Sequence, residues 1–146
     1  MKNLITLLSL IICPTLYCQD ATVVTQNEKT VVGSFYYGPN LMSEVYTLSE
    51  FEDTYFFTYK NQKYTQITDY KTISMSSQAF NTVKETLVTL INSSVGKEVV
   101  MEIGEVRLTL ERGSMKSVSF FIFENGVGSH IYLSKNAIIK TFGVSL

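Results

Sequence analysis

The stretch from Met115 to Leu133, MKSVSFFIFENGVGSHIYL, decides the fold. At its centre Asn125-Gly126 is the strongest hairpin signal in the chain, because the favoured two-residue turn needs positive φ at both central positions and Asn-Gly supplies it. With Glu124 opposite Val127, the residues Val118, Phe120, Ile122, Ile131 and Leu133 fall on one face. The other face carries Phe121 against His130, Phe123 against Gly128 and Ser119 against Tyr132. Side chains alternate strictly across a strand, so the pair has one aliphatic side to bury.

Outward from this hairpin the pattern repeats. Glu98 to Ile103 and Val106 to Glu111 flank Gly104-Glu105, a second two-residue turn, which sets Ile103 opposite Val106, Met101 opposite Leu108 and Val99 opposite Leu110, with Glu102 and Arg107 on the reverse face. Arg112-Gly113-Ser114 turns this pair into the first, giving a four-strand meander. Downstream, Ser134 caps a short helix from Lys135 to Phe142, closed by Gly143. Upstream, Phe80, Val83, Leu87, Leu90 and Ile91 recur every three or four residues, which predicts a helix from Ser77 to about Ser93 with Ser76 or Ser77 as N-cap and one apolar stripe.

The first half is more loosely marked. Thr22 to Thr25 and Thr30 to Tyr37 read as a hairpin around Gln26 to Lys29, and Gly38-Pro39-Asn40 is a turn signal that stops it. Val45 to Leu48 is a short strand, and residues 49 to 53 form an acidic loop. Thr54 to Lys60 and Lys63 to Tyr70 then pair around Asn61-Gln62, with Lys60 opposite Lys63, Tyr59 opposite Tyr64 and Phe57 opposite Gln66. The predicted fold is α+β: an antiparallel β-sheet of about seven strands, ending in the four-strand meander, packed on one long α-helix, with a short C-terminal helix.

The first eighteen residues have a different character. Met1-Lys2-Asn3 is positive, Leu4 to Cys13 is almost wholly apolar, and Pro14 breaks the run before Cys18-Gln19, the layout of a signal peptide over residues 1 to 18 followed by a single domain over 19 to 146. The leader followed by Gln19 resembles those of exported Gram-negative proteins. Its apolar core is too short for the roughly twenty residues of a permanent membrane anchor. Ile12 and Tyr17 precede the two cysteines where a lipidated Cys would follow a small residue. Both cysteines fall in the leader, so the domain has no thiol chemistry and no disulfide. These features place the protein outside the cytoplasm, in the periplasm or the extracellular space.

The whole chain carries 12 Lys+Arg against 13 Asp+Glu, which gives no surplus for neutralising phosphates and excludes nucleic acid as a partner. His130 is the single histidine. Its neighbour Ser129 points to the opposite face of the strand, so the two cannot serve as hydroxyl and base. Gly126-Val127-Gly128 lacks the third glycine and helix of a dinucleotide site, and Ser94-Val95-Gly96-Lys97 closes a helix instead of opening one. Glu50, Glu52 and Asp53 lack the spacing of a calcium loop. No cofactor and no metal are expected. Asp69 is the least implausible acid for a carboxylate enzyme, and it has no second carboxylate assigned to it.

Aromatic residues, 9 Phe and 9 Tyr, are the one surplus. Tyr55, Phe57, Tyr59 and Tyr64 on one hairpin, and Phe121, Phe123, His130 and Tyr132 on another, form the candidate binding surface, with a second core layer as the competing use of the same rings. The expected function is a small exported, non-catalytic binding protein. Its partner would be another envelope or secreted protein, met through a sheet edge or the aromatic face. The alternatives are a carrier of lipid or carbohydrate between sheet and helix, and a secreted inhibitor or immunity-type protein. Mass spectrometry of the native protein is expected to find Gln19 as its first residue; an intact Met1 in a soluble cytoplasmic fraction would overturn the leader.

Overall fold

The computed structural model describes residues 27–64 and 66–146. The expected leader and the strand expected over residues 22 to 25 lie outside them. Eight strands and two helices follow in the order β1 (Lys29–Tyr37), β2 (Asn40–Leu48), β3 (Thr54–Lys60), β4 (Tyr70–Ser76), α1 (Ser77–Ile91), β5 (Glu98–Ile103), β6 (Val106–Arg112), β7 (Ser117–Glu124), β8 (Val127–Ser134) and α2 (Lys135–Phe142). They form two antiparallel four-stranded meanders, β1-β2-β3-β4 and β5-β6-β7-β8, and not a single sheet of seven strands. Each meander runs straight into a helix, and in each case the last residue of the last strand, Ser76 or Ser134, accepts a hydrogen bond from a first-turn amide as N-cap.

The second meander has the registers predicted for it. Ile103 pairs with Val106, Glu124 with Val127 and Phe121 with His130. Gly104 sits at φ 59°, and Asn125 and Gly126 at 50° and 78°, so both turns have the left-handed residues that fix their register. The first meander differs in two places. Gly38-Pro39 is the turn expected there, but it does not end the pairing: it joins β1 to β2, pairing Tyr37 with Asn40 and extending β2 over nine residues. The partner of β3 is Tyr70–Ser76 and not Lys63 to Tyr70, so that Tyr59 faces Lys71 and Phe57 faces Ile73.

The reason for the second difference lies in residues 61 to 69. The Asn61 amide donates to the Asp69 carbonyl, and its side chain donates to the Asp69 carboxylate and accepts from Lys63 N–H. This closes a loop and not a strand. Beyond it the alternation is clean: Ile73 and Met75 are buried while Thr72, Ser74 and Ser76 are exposed. The displaced Ile67, which the other register would have set beside Phe56, is 63% exposed.

One core joins the inner faces of both sheets to the apolar stripes of both helices. At its centre four phenylalanines from four elements meet. Phe57 of β3 lies 5.8 Å from Phe120 of β7 and 5.2 Å from Phe142 of α2, and Phe142 in turn lies 5.9 Å from Phe120 and 6.2 Å from Phe80 of α1. These are the separations at which rings interact beyond their buried area. Two hydroxyl pairs sit beside the cluster, each fully satisfied: Tyr59 with Ser129 and Ser43 with Thr141, both at 2.6 Å. Arg112, also buried, donates its Nε to the Ile91 carbonyl at the end of α1 and another guanidinium nitrogen to Gly113. A cation at that position complements the negative end of the helix.

The helix α2 lies close against β1 because Gly33 has no side chain. A Cβ there would come within 2.3 Å of the Lys140 carbonyl oxygen and 2.6 Å of that of Thr141, both backbone atoms with little freedom to move. Gly33→Ala is therefore expected to cost about 1–3 kcal/mol, and Phe142→Ala about 3–5 kcal/mol. Urea midpoints measure both, and a Gly33→Ala protein with an unchanged midpoint would refute the close packing.

Candidate functional site

The eight residues singled out from the sequence separate into two groups. Phe57 and Tyr59 are 1% exposed and belong to the core, and Tyr55 is half-buried with its ring stacked 4.2 Å from Phe80. These three point inward because the inner face of β3 is the one covered by β7 and α1. Phe57 and Tyr59 fill a core layer and present no surface to a partner, and Tyr55 packs against that layer. The remaining five lie together on the outer side of the second sheet or beside it.

Phe121, Phe123, His130 and Tyr132 occupy the outer face of the β7-β8 hairpin. Phe121 and His130, directly opposite one another, stack with their ring centroids 4.8 Å apart. Phe123 lies over Gly128, where a Cβ would come within 2.9 Å of the Phe123 ring, so the missing side chain seats the aromatic. Phe123 is 49% exposed and Tyr132 38% exposed, and Val100 on β5 adds a further exposed apolar residue to the same face.

The free edge of β8 is where Tyr64 joins this group. Asn61 and Gln62, at the start of the β3-β4 loop, lie along that edge and bond to it. The Gln62 amide donates to the His130 carbonyl at 2.7 Å, the Asn61 side-chain oxygen accepts from His130 N–H at 3.1 Å, and the Gln62 side-chain oxygen accepts from Tyr132 N–H at 3.0 Å. The next residue, Lys63, reaches the Gly128 carbonyl and passes 5.5 Å from the centre of the exposed Tyr64 ring. The loop thus covers an edge that would otherwise offer unpaired backbone groups to other chains. It also holds the backbone beneath His130 and Tyr132 rigid.

Asn61, Gln62 and Lys63 were not among the sequence candidates. Their only signal was a pair of amide side chains directly after an apolar strand, which equally well marks a turn.

Chemically the patch is suited to contact. Its lone imidazole faces a phenyl ring. Burial lowers the His130 pKa below its ordinary value of 6.5, which favours the neutral ring. Asp69, the acid considered above, receives the Asn61 side-chain amide and lies 3.6 Å from Lys71, so its carboxylate is engaged in closing the loop. Among the described residues no group of three or more His, Cys, Asp and Glu side chains could hold a metal ion, and no helix is long and apolar enough to cross a membrane.

The depressed His130 pKa sets the sign of a pH effect. As pH falls through about 6.5 the unfolded imidazole takes up a proton before the folded one, so the histidine's contribution to stability is lost on acidification. The fall in urea midpoint between about pH 7.5 and about pH 5 is expected to be smaller in His130→Gln than in the parent. An equal or larger fall in the variant would contradict this. No family model matches the chain, and neither a curated protein nor a solved structure is similar to it.

Proposed function

We propose that this is a small exported binding protein of the bacterial envelope or extracellular space, without catalytic activity, which meets a protein partner through the outer face of its β7-β8 hairpin. One observation carries this reading. Other aromatic rings already fill the core, yet Phe121, Phe123, His130 and Tyr132 cluster on the side of the sheet that the core does not use. Exposed aromatic groups on a rigid strand pair give large contact area at small entropic cost, and their polar tips can bond a partner. The pinned loop under His130 and Tyr132 supports the same reading, since a surface held in place loses little freedom on binding. A secreted inhibitor or immunity-type protein is one form this function could take.

Tagged protein recovered from its native envelope is the direct test. A specific co-purifying protein is expected, and the double variant Phe123→Ser, Tyr132→Ser should lose it by a factor of ten or more with an unchanged urea midpoint. Retention of the partner by that variant, or recovery of bound lipid with no protein, would overturn the proposal.

A further inference from the structure

Near the β7-β8 turn the inner faces of the two sheets part and leave a hollow of about 210 Å³. Register decides which side chains enter it. Tyr59 and Lys71 are cross-strand partners on β3 and β4, and Lys71 lies on the same side of β4 as the buried Ile73 and Met75. Facing them from the second sheet are Ile122 and Ser129, also cross-strand partners, and Glu124 and Val127, the last pair before the Asn125-Gly126 turn. Glu124 shares its side of β7 with the buried Phe120 and Ile122. Opposite charges thus stand on the core-facing sides of opposed sheets, where apolar residues would have closed the gap.

These charges do not neutralise each other. Among the described residues Glu124 forms no ion pair, and Lys71 reaches only Asp69, at 3.6 Å and in contact with solvent, which leaves ammonium donors free. Below them the floor is polar and buried, with Tyr59 1% and Ser129 8% exposed. The Ser129 hydroxyl donates to the Ile122 carbonyl at 3.3 Å and lies 2.6 Å from the Tyr59 hydroxyl. Each hydroxyl has one proton, so when Ser129 gives its own to Ile122 the bond between the two uses the Tyr59 proton. The Tyr59 oxygen then keeps an acceptor position. Burial raises the Tyr59 pKa, and the nearby Glu124 and Asp69 charges add to the rise, so the phenol stays protonated. Ile122 and Val127 supply an apolar wall. The hollow has the volume share of about seven waters, which suits a molecule of about six to eight non-hydrogen atoms.

We infer that this hollow binds a free α-amino acid with a small aliphatic side chain, of the size of alanine or valine. Its carboxylate meets the Lys71 ammonium, its own ammonium is shared between the Glu124 carboxylate and the Tyr59 oxygen, and its side chain lies on Ile122 and Val127. Both charges are required, because a ligand carrying one alone leaves Lys71 or Glu124 unanswered. A larger side chain has no room. The site lies on the inner face of the hairpin whose outer face carries Phe121, Phe123, His130 and Tyr132, and it does not depend on the partner surface proposed there.

Amide chemical shifts of the protein, followed while L-valine, N-acetyl-L-valine, L-valinamide and L-phenylalanine are titrated in turn, provide the test. Valine is expected to bind at least tenfold more tightly than each of the other three, with the largest shifts at Tyr59, Lys71 and Ser129. Lys71→Met should abolish the advantage of valine over valinamide while keeping that over N-acetylvaline, and Glu124→Gln should do the reverse. Each should weaken valine binding at least tenfold. Both side chains are exposed enough that the urea midpoint should not move, and general destabilisation would not remove one advantage and spare the other. Absence of saturable shifts with valine, equal affinity for phenylalanine or for a blocked form, undiminished binding by either variant, or shifts centred on Phe121 and Tyr132 would overturn the inference. The Phe123→Ser, Tyr132→Ser protein should bind valine unchanged, so failure at one surface is separable from failure at the other.

Discussion

The four-ring contact of Phe57, Phe80, Phe120 and Phe142 is the constraint on which the rest of the structure depends. Each ring comes from a different element, and no two of those elements are adjacent in the chain. Two four-stranded sheets that share no ladder are tied through backbone by the bond from the Gln62 amide to the His130 carbonyl, and the rest of their relative placement comes from side chains. Ring packing does this with area, and the Tyr59-Ser129 and Ser43-Thr141 pairs do it with direction. A buried hydroxyl left without its partner costs about 1–3 kcal/mol, so sliding one sheet against the other is penalised at each of these points. Apolar packing alone would tolerate such a shift far better.

The parts of the fold legible in the sequence are those whose geometry is settled within a few residues. Asn125-Gly126 and Gly104-Glu105 pin two registers because a two-residue turn leaves one pairing available, and Ser76, Ser134 and Gly143 bound helices by bonds made within one turn. The errors occur where a distant element supplies the partner. Gly38-Pro39 looks like a stop until β2 is seen to extend along β1. Asn61-Gln62 looks like a hairpin turn because nothing nearby reveals that its amides are needed at the β8 edge, almost seventy residues on. That the strands divide into two sheets was hidden for the same reason: local alternation identifies neighbouring pairs but does not say whether β4 and β5, separated by a helix, would join.

The candidate surface was half legible. Strand alternation correctly grouped Phe121, Phe123, His130 and Tyr132 on one face and Tyr55, Phe57 and Tyr59 on another. It could not say which of the two faces was covered, since β3 is aromatic on both sides: Phe56 stacks on Tyr46 on the outside while Phe57 enters the core. Which side is buried depends on where β7 and the helices come to rest, and that is decided by the whole chain.

The approach of α2 to Gly33 has a consequence for the order in which the molecule can assemble. Helix α2 packs against β1, and the Ser43-Thr141 bond spans 98 residues of sequence. Until residues 135 to 142 are available, the inner face of β1 and β2 lacks the cover that α2 gives it, so the first meander cannot complete its core before α2 has been made. Closure of so long a loop is also intrinsically slow. For a chain proposed to cross a membrane before folding, this arrangement amounts to a built-in delay: the polypeptide stays threadable until residues 135 to 142 arrive to lock it.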